Sequence, residues 1–93
     1  MTYEAEIIYN HDRDDMDSGT FNSFYEAIGA IVSWGLGMGV HTCRINNIPF
    51  TYRDGAVYDD RGEVVTEAVY ADKLVAEQNR IAAFMNHQQK GSL

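Results

Sequence analysis

Val40-His41-Thr42-Cys43-Arg44-Ile45-Asn46-Asn47-Ile48-Pro49-Phe50-Thr51-Tyr52-Arg53-Asp54-Gly55-Ala56-Val57-Tyr58 is the stretch that decides the fold. Val40–Asn46 reads as a strand, and Asn46-Asn47 turns it back into Ile48–Arg53, where Ile48, Phe50 and Tyr52 share a face with the two-residue period of a strand. Asp54-Gly55 is a strong two-residue hairpin signal, because both turn positions need positive φ. Ala56–Asp60 returns, and Arg61-Gly62 turns the chain again toward Glu63–Val65. Strands joined by such tight turns are antiparallel neighbours. Pro49, the single proline, sits where an edge strand tolerates a missing N–H.

Upstream, Thr2–Asn10 alternates Tyr3, Ala5, Ile7 and Tyr9 with Thr2, Glu4, Glu6 and Ile8, a half-buried strand with Glu4 and Glu6 toward solvent. His11–Gly19 reads as a polar, acidic loop. Ser23 and Glu26 have capping-box spacing, which starts a helix over Phe24, Ala27, Ile28, Ile31, Val32 and Trp34. Gly35, Gly37 and Gly39 stop it. Downstream, Thr66 caps a last helix of about 20 residues with Tyr70, Leu74, Ile81 and Met85 on one stripe. Residues 87–93 read as a disordered tail. The order is β-α-β-β-β-α. It predicts an α+β domain, residues 1–93, with an antiparallel sheet of three to four strands and two helices on one face.

Composition narrows the function. The chain has 14 Asp/Glu against 7 Lys/Arg, a net charge of −7. Residues 1–17 hold Glu4, Glu6, Asp12, Asp14, Asp15 and Asp17 against one base, Arg13. This acidic lip argues against direct binding of nucleic acid, which needs Lys/Arg to neutralise phosphates, and for a basic protein surface as partner. One cysteine fits a reducing, cytoplasmic compartment. The uncharged run Ala27–Cys43 is too short and too rich in glycine for a membrane span.

No residue set reads as a catalytic, cofactor or metal site, and the expectation is a protein that is not an enzyme. Asp14 as the first position of a calcium loop puts Gly19 correctly at the sixth, but Met16 at the third and Tyr25 at the twelfth. His41 and Cys43 fall two apart, on one strand face, without a third group to complete a nucleophile pair or a metal site. Gly35, Gly37 and Gly39 follow a helix, whereas phosphate loops precede one. Asp59-Asp60, adjacent on a strand, point to opposite faces. From Phe24 to Leu36 the first helix has one charge, Glu26, so its second face is a candidate homodimer contact anchored by Trp34, Leu36 and Met38. Tyr9 and Tyr25 are candidate contact residues beside the lip.

The helix–strand–strand–strand–helix order from Ser23 to Asn86 looks like that of double-stranded-RNA-binding domains. That family carries a lysine cluster at the start of its last helix; Thr66-Glu67-Ala68-Val69 stands there instead, which removes the RNA-binding function. Through Glu4, Glu6, the Asp12–Asp17 lip, small size and the order of elements, the chain also resembles small phage-encoded anti-defence proteins, anti-CRISPR proteins among them. That resemblance implies a stoichiometric inhibitor that blocks a basic nucleic-acid-binding surface of a host nuclease complex.

Overall fold

The computed structural model describes the backbone of residues 2–91 and the side chains of residues 2–84. It is an α+β fold, as expected: a five-stranded antiparallel sheet with two helices. The elements are β1 (Tyr3–Tyr9), β2 (Met16–Phe21), α1 (Phe24–Gly35), β3 (Val40–Ile45), β4 (Ile48–Arg53), β5 (Ala56–Tyr58) and α2 (Glu67–Gly91). The strand order is β2-β1-β3-β4-β5.

Local chemistry accounts for most of this. Asn46 and Asn47 both take positive φ, as do Asp54 and Gly55, so each pair makes the tight turn its sequence specifies. Ser23 Oγ accepts from Glu26 N at 3.1 Å. The Glu26 carboxylate reaches Asn22 N rather than the Ser23 N of a standard capping box. Thr66 Oγ1 accepts from Val69 N and caps α2. The last expected strand, Glu63–Val65, is a single bridge between Tyr58 and Val64.

One sheet face is covered and the other is open. Ala5, Ile7, Tyr9, Cys43, Ile45, Ile48, Phe50 and Val57 form the covered face. Phe24, Ala27 and Ile31 of α1 pack onto it. Tyr70 of α2 joins at the same face, with ring centroids 5.4 Å from Phe24 and 5.7 Å from Tyr3.

Three expectations need correction. The sheet has five strands, because Met16–Phe21 is a strand and not part of a loop; it pairs with β1 along Tyr3–Ile8. Its Asp, Ser and Gly residues have low strand propensity, and pairing with the apolar β1 overrides that. Second, β4 is interior, flanked by β3 and β5, so Pro49 is not on an edge strand. Beside β5, however, pairing covers only Thr51–Arg53, so at Pro49 the strand has a neighbour on one side only. Third, His41 and Cys43 do not share a face. The register between β1 and β3 shifts where Ile8 pairs with Thr42 and Tyr9 with Val40. That leaves His41 as the extra residue of a β-bulge, exposed, while Cys43 is fully buried.

Helix α2 runs to Gly91, through the segment read from the sequence as a tail; side chains from Met85 onward lie outside the described residues. Tyr70 and Leu74 of its stripe meet the core, whereas Ile81 is exposed. The overhang makes the chain elongated, 53 × 29 × 25 Å. No helix among the described residues is long and apolar enough to cross a membrane.

Candidate functional site: the acidic β1–β2 hairpin

Residues 1–22 carry six carboxylates and one base, so five of the seven net negative charges belong to the β1–β2 hairpin and its flanks. The strand order places this hairpin at one edge of the sheet. The β3–β5 half, Val40–Tyr58, holds Arg44, Arg53 and Asp54. The sheet is therefore electrically polarised across its strands.

The structure sorts the six acids into three positions. Asp12, Asp14 and Asp15 lie exposed in the connection between β1 and β2. Asp12 Oδ1 accepts from Asp14 N at 2.9 Å and its carbonyl accepts from Asp15 N at 3.0 Å, a side-chain-closed turn. His11 Nε2 lies 2.9 Å from Asp15 Oδ2. Asn10 N donates to Gly39 O and ties the loop to the turn after α1. Glu4 and Glu6 stand on the open sheet face, where they line a shallow depression of about 250 Å³ with Ser18 and Thr20. Glu6 pairs with Arg44 across the strands at 3.6 Å. Asp17 points the opposite way, to the helix side, where its Oδ2 accepts from the Tyr9 hydroxyl. The lip is thus a loop cluster and a sheet-face pair, with Asp17 separate from both.

Tyr9, expected as a contact residue, is buried: its hydroxyl reaches Asp17 and the Trp34 carbonyl. Burial, then the neighbouring Asp17 carboxylate, pushes its phenol up to about 12. Tyr25 is exposed at the start of α1. Of the α1 anchors, Trp34 is half-buried in its own chain, tilted against Phe21 at 6.1 Å and passing close over Gly19. Leu36 and Met38 are exposed and line a shallow groove of about 330 Å³ with Tyr52 and Gly55.

The other sequence candidates resolve structurally. Asp14 cannot open a calcium loop of the helix–loop–helix type, since Met16–Phe21 is extended strand. Among the described residues no three His, Cys, Asp or Glu side chains gather as metal ligands would. The Cys43 thiol contacts Phe50 O, and burial pushes it up to about 12. Asp59, which sequence reasoning placed on a strand, closes the following loop: its Oδ1 accepts from Arg61 N and Glu63 N, both at 2.9 Å. Asp60 pairs with Lys73, which holds its carboxyl below the usual range.

What this site offers is electrostatic: fixed carboxylates, some on a turn held at both ends. No protein-family model matches this chain, and it matches neither a curated protein nor a solved structure.

Proposed function

We propose that this chain is a non-catalytic protein-binding module whose acidic hairpin docks into a basic groove of a nucleic-acid-handling protein. It would act as a stoichiometric inhibitor, in the manner of the phage-encoded anti-defence proteins it resembles. The observation that carries the reading is the placement of Asp12, Asp14 and Asp15 together on one exposed turn at the acidic edge of a polarised sheet. Fixed charge of one sign steers a partner of the other and raises the association rate by tenfold or more. Glu4 and Glu6 extend the negative surface onto the open sheet face, and Tyr25 is accessible as an apolar contact. Self-assembly through helix 24–36 is the alternative, with Leu36 and Met38 exposed and Trp34 half-buried against its own chain.

The test compares the wild type with an Asp12→Lys, Asp14→Lys, Asp15→Lys variant as bait in a nucleic-acid-rich lysate, washed at low and high salt. The expected result is a basic nucleic-acid-binding protein that the wild type holds at low salt and sheds at high salt. The variant should associate with that purified protein about tenfold more slowly or worse. Equal capture by both baits, or capture indifferent to salt, overturns the reading.

A further inference from the structure

The sheet has two edges, and one of them is closed. Along β5 the chain folds back as Glu63–Val65: Asp59 N donates to Glu63 O at 2.8 Å, Val65 N donates to Val57 O at 2.9 Å, and Tyr58 bridges to Val64. Strand β2 is the other edge, and among the described residues only β1 pairs with it. Its ladder identifies the groups left over. Tyr9 N donates to Asp15 O, so these two form a hydrogen-bonded pair in the register that continues as Ile8 with Met16 and Ile7 with Asp17. Hydrogen-bonded and non-hydrogen-bonded pairs alternate along an antiparallel ladder. Asp17, Gly19 and Phe21 therefore bond to β1, and the N–H and C=O groups of Met16, Ser18 and Thr20 point off the edge.

Such an edge is normally blunted by proline, lysine, a bulge or a covering segment. Strand β2 has none of these. It pairs with β1 residue for residue from Met16 to Phe21, and its single charge, Asp17, is turned to the helix side and taken by the Tyr9 hydroxyl. The side chains beside the edge suit an added strand on both faces. On the helix side the half-buried rings of Phe21 and Trp34 lie next to Gly19, where a Cβ would stand 3.1 Å from the first and 3.6 Å from the second. On the open side the short Ser18 and Thr20 stand beside Glu6 and Glu4, and the four line the depression of about 250 Å³.

We infer that β2 takes an extended, lysine- or arginine-bearing segment of a protein partner as a sixth strand, held by main-chain hydrogen bonds to Met16, Ser18 and Thr20. Charge selects this occupant. Residues 1–22 of a second copy would bring six carboxylates against one base, so two β2 edges repel each other. A cationic strand is instead drawn in by Asp12, Asp14 and Asp15, exposed in the turn that leads into β2. Neighbouring strands lie roughly 4.8 Å apart. A long cationic side chain opposite Thr20 therefore reaches over it to Glu4, the cross-strand neighbour of Thr20. Glu6 is already drawn toward Arg44 at 3.6 Å. Alternate side chains of the added strand fall on the helix side, where apolar ones meet Phe21 and Trp34. This inference rests on the acidic hairpin being the docking surface, and it names the element of the partner that the hairpin holds.

The probe is a synthetic peptide of alternating lysine and valine, titrated at low salt into the isotope-labelled full chain and followed by NMR. The amides of Met16, Ser18 and Thr20 should gain protection from hydrogen exchange on binding. The same peptide N-methylated throughout keeps its charge but donates no main-chain hydrogen bond, and should bind about tenfold more weakly or worse. Ser18→Pro removes an N–H that points off the edge and spares the ladder to β1, so it should weaken the plain peptide by about tenfold, whereas Ser18→Ala should bind as the wild type does. Equal binding of the two peptides overturns strand addition and leaves the acidic hairpin standing as a docking surface. Plain-peptide binding that survives Asp12→Lys, Asp14→Lys, Asp15→Lys overturns the charged-hairpin reading, and the choice of a cationic strand with it. Absence of any binding by the plain peptide overturns the inference as well.

Discussion

Gly35 and Gly29 sit on the same helix and answer to different forces. A Cβ on Gly29 meets nothing within 4 Å, whereas one on Gly35 would lie 2.6 Å from the Tyr52 ring. Alanine is better than glycine in a helix by roughly 1 kcal/mol. Gly29→Ala should therefore raise stability by up to about 1 kcal/mol. Gly35→Ala should lower it by about 1–2 kcal/mol, since overpacking outweighs propensity. Urea denaturation checks both, and Tyr52→Leu in the Gly35→Ala background should recover most of the loss. The sequence showed Gly35 as part of a helix stop, and the helix does end there. Its close approach to Tyr52 was not legible, because Tyr52 lies 17 residues further along the chain, in β4. Cys43 and His41 teach the same lesson: period-two reasoning put them on one face, and one bulge residue separated them.

At the scale of elements, hairpins and caps were the most legible features, since each is decided within four residues. Asn46 shows how such a local element gains a tertiary role. Its Oδ1 accepts from Glu4 N at 2.9 Å, and its Nδ2 donates to the Tyr70 hydroxyl at 2.7 Å and to Thr2 O at 3.3 Å. One turn residue thus ties the β3–β4 turn to β1 and to the first turns of α2. Asn46→Gly keeps the positive φ and removes all three bonds. It should cost about 1–3 kcal/mol and speed amide exchange in residues 67–74 relative to β3. Exchange unchanged in that segment would show that Tyr70 packing alone holds α2. Strand β2 was the element missed. Its faint alternation, Met16, Ser18 and Thr20 against Asp17, Gly19 and Phe21, is its one sequence signal, and Gly19 on the covered side leaves room for the Phe21 ring, which would lie 3.1 Å from a Cβ there.

For the whole molecule, alkaline pH is the clearest expectation. Two buried acids, the Tyr9 phenol and the Cys43 thiol, are pushed from 10.0 and 9.0 up to about 12. Each raised value means that the folded state keeps a proton that the unfolded chain releases. Their contribution is therefore fully present below pH 9 and is lost as pH rises toward 12. The urea midpoint should hold to about pH 9 and then fall. Tyr9→Phe with Cys43→Ala should flatten that fall while lowering stability at neutral pH. At pH 8 the native thiol should resist an aqueous disulfide reagent that the unfolded chain consumes at once.

The sequence by itself determined the α+β class, strand β1, the two asparagine- and glycine-based turns, both helix starts and the acidic bias of the first 17 residues. All of these depend on backbone torsions, side-chain period or charge within a few positions. The tertiary structure alone decided the rest. It paired β2 with β1, turned Asp17 and Tyr9 toward α1, and made a polarised sheet edge out of a charge count. It also left Gln78 to Phe84 of α2 exposed, because the covered sheet face is filled by α1 and the first turns of α2. Those outcomes depend on which surfaces meet across long sequence separations, and a local pattern carries no record of that.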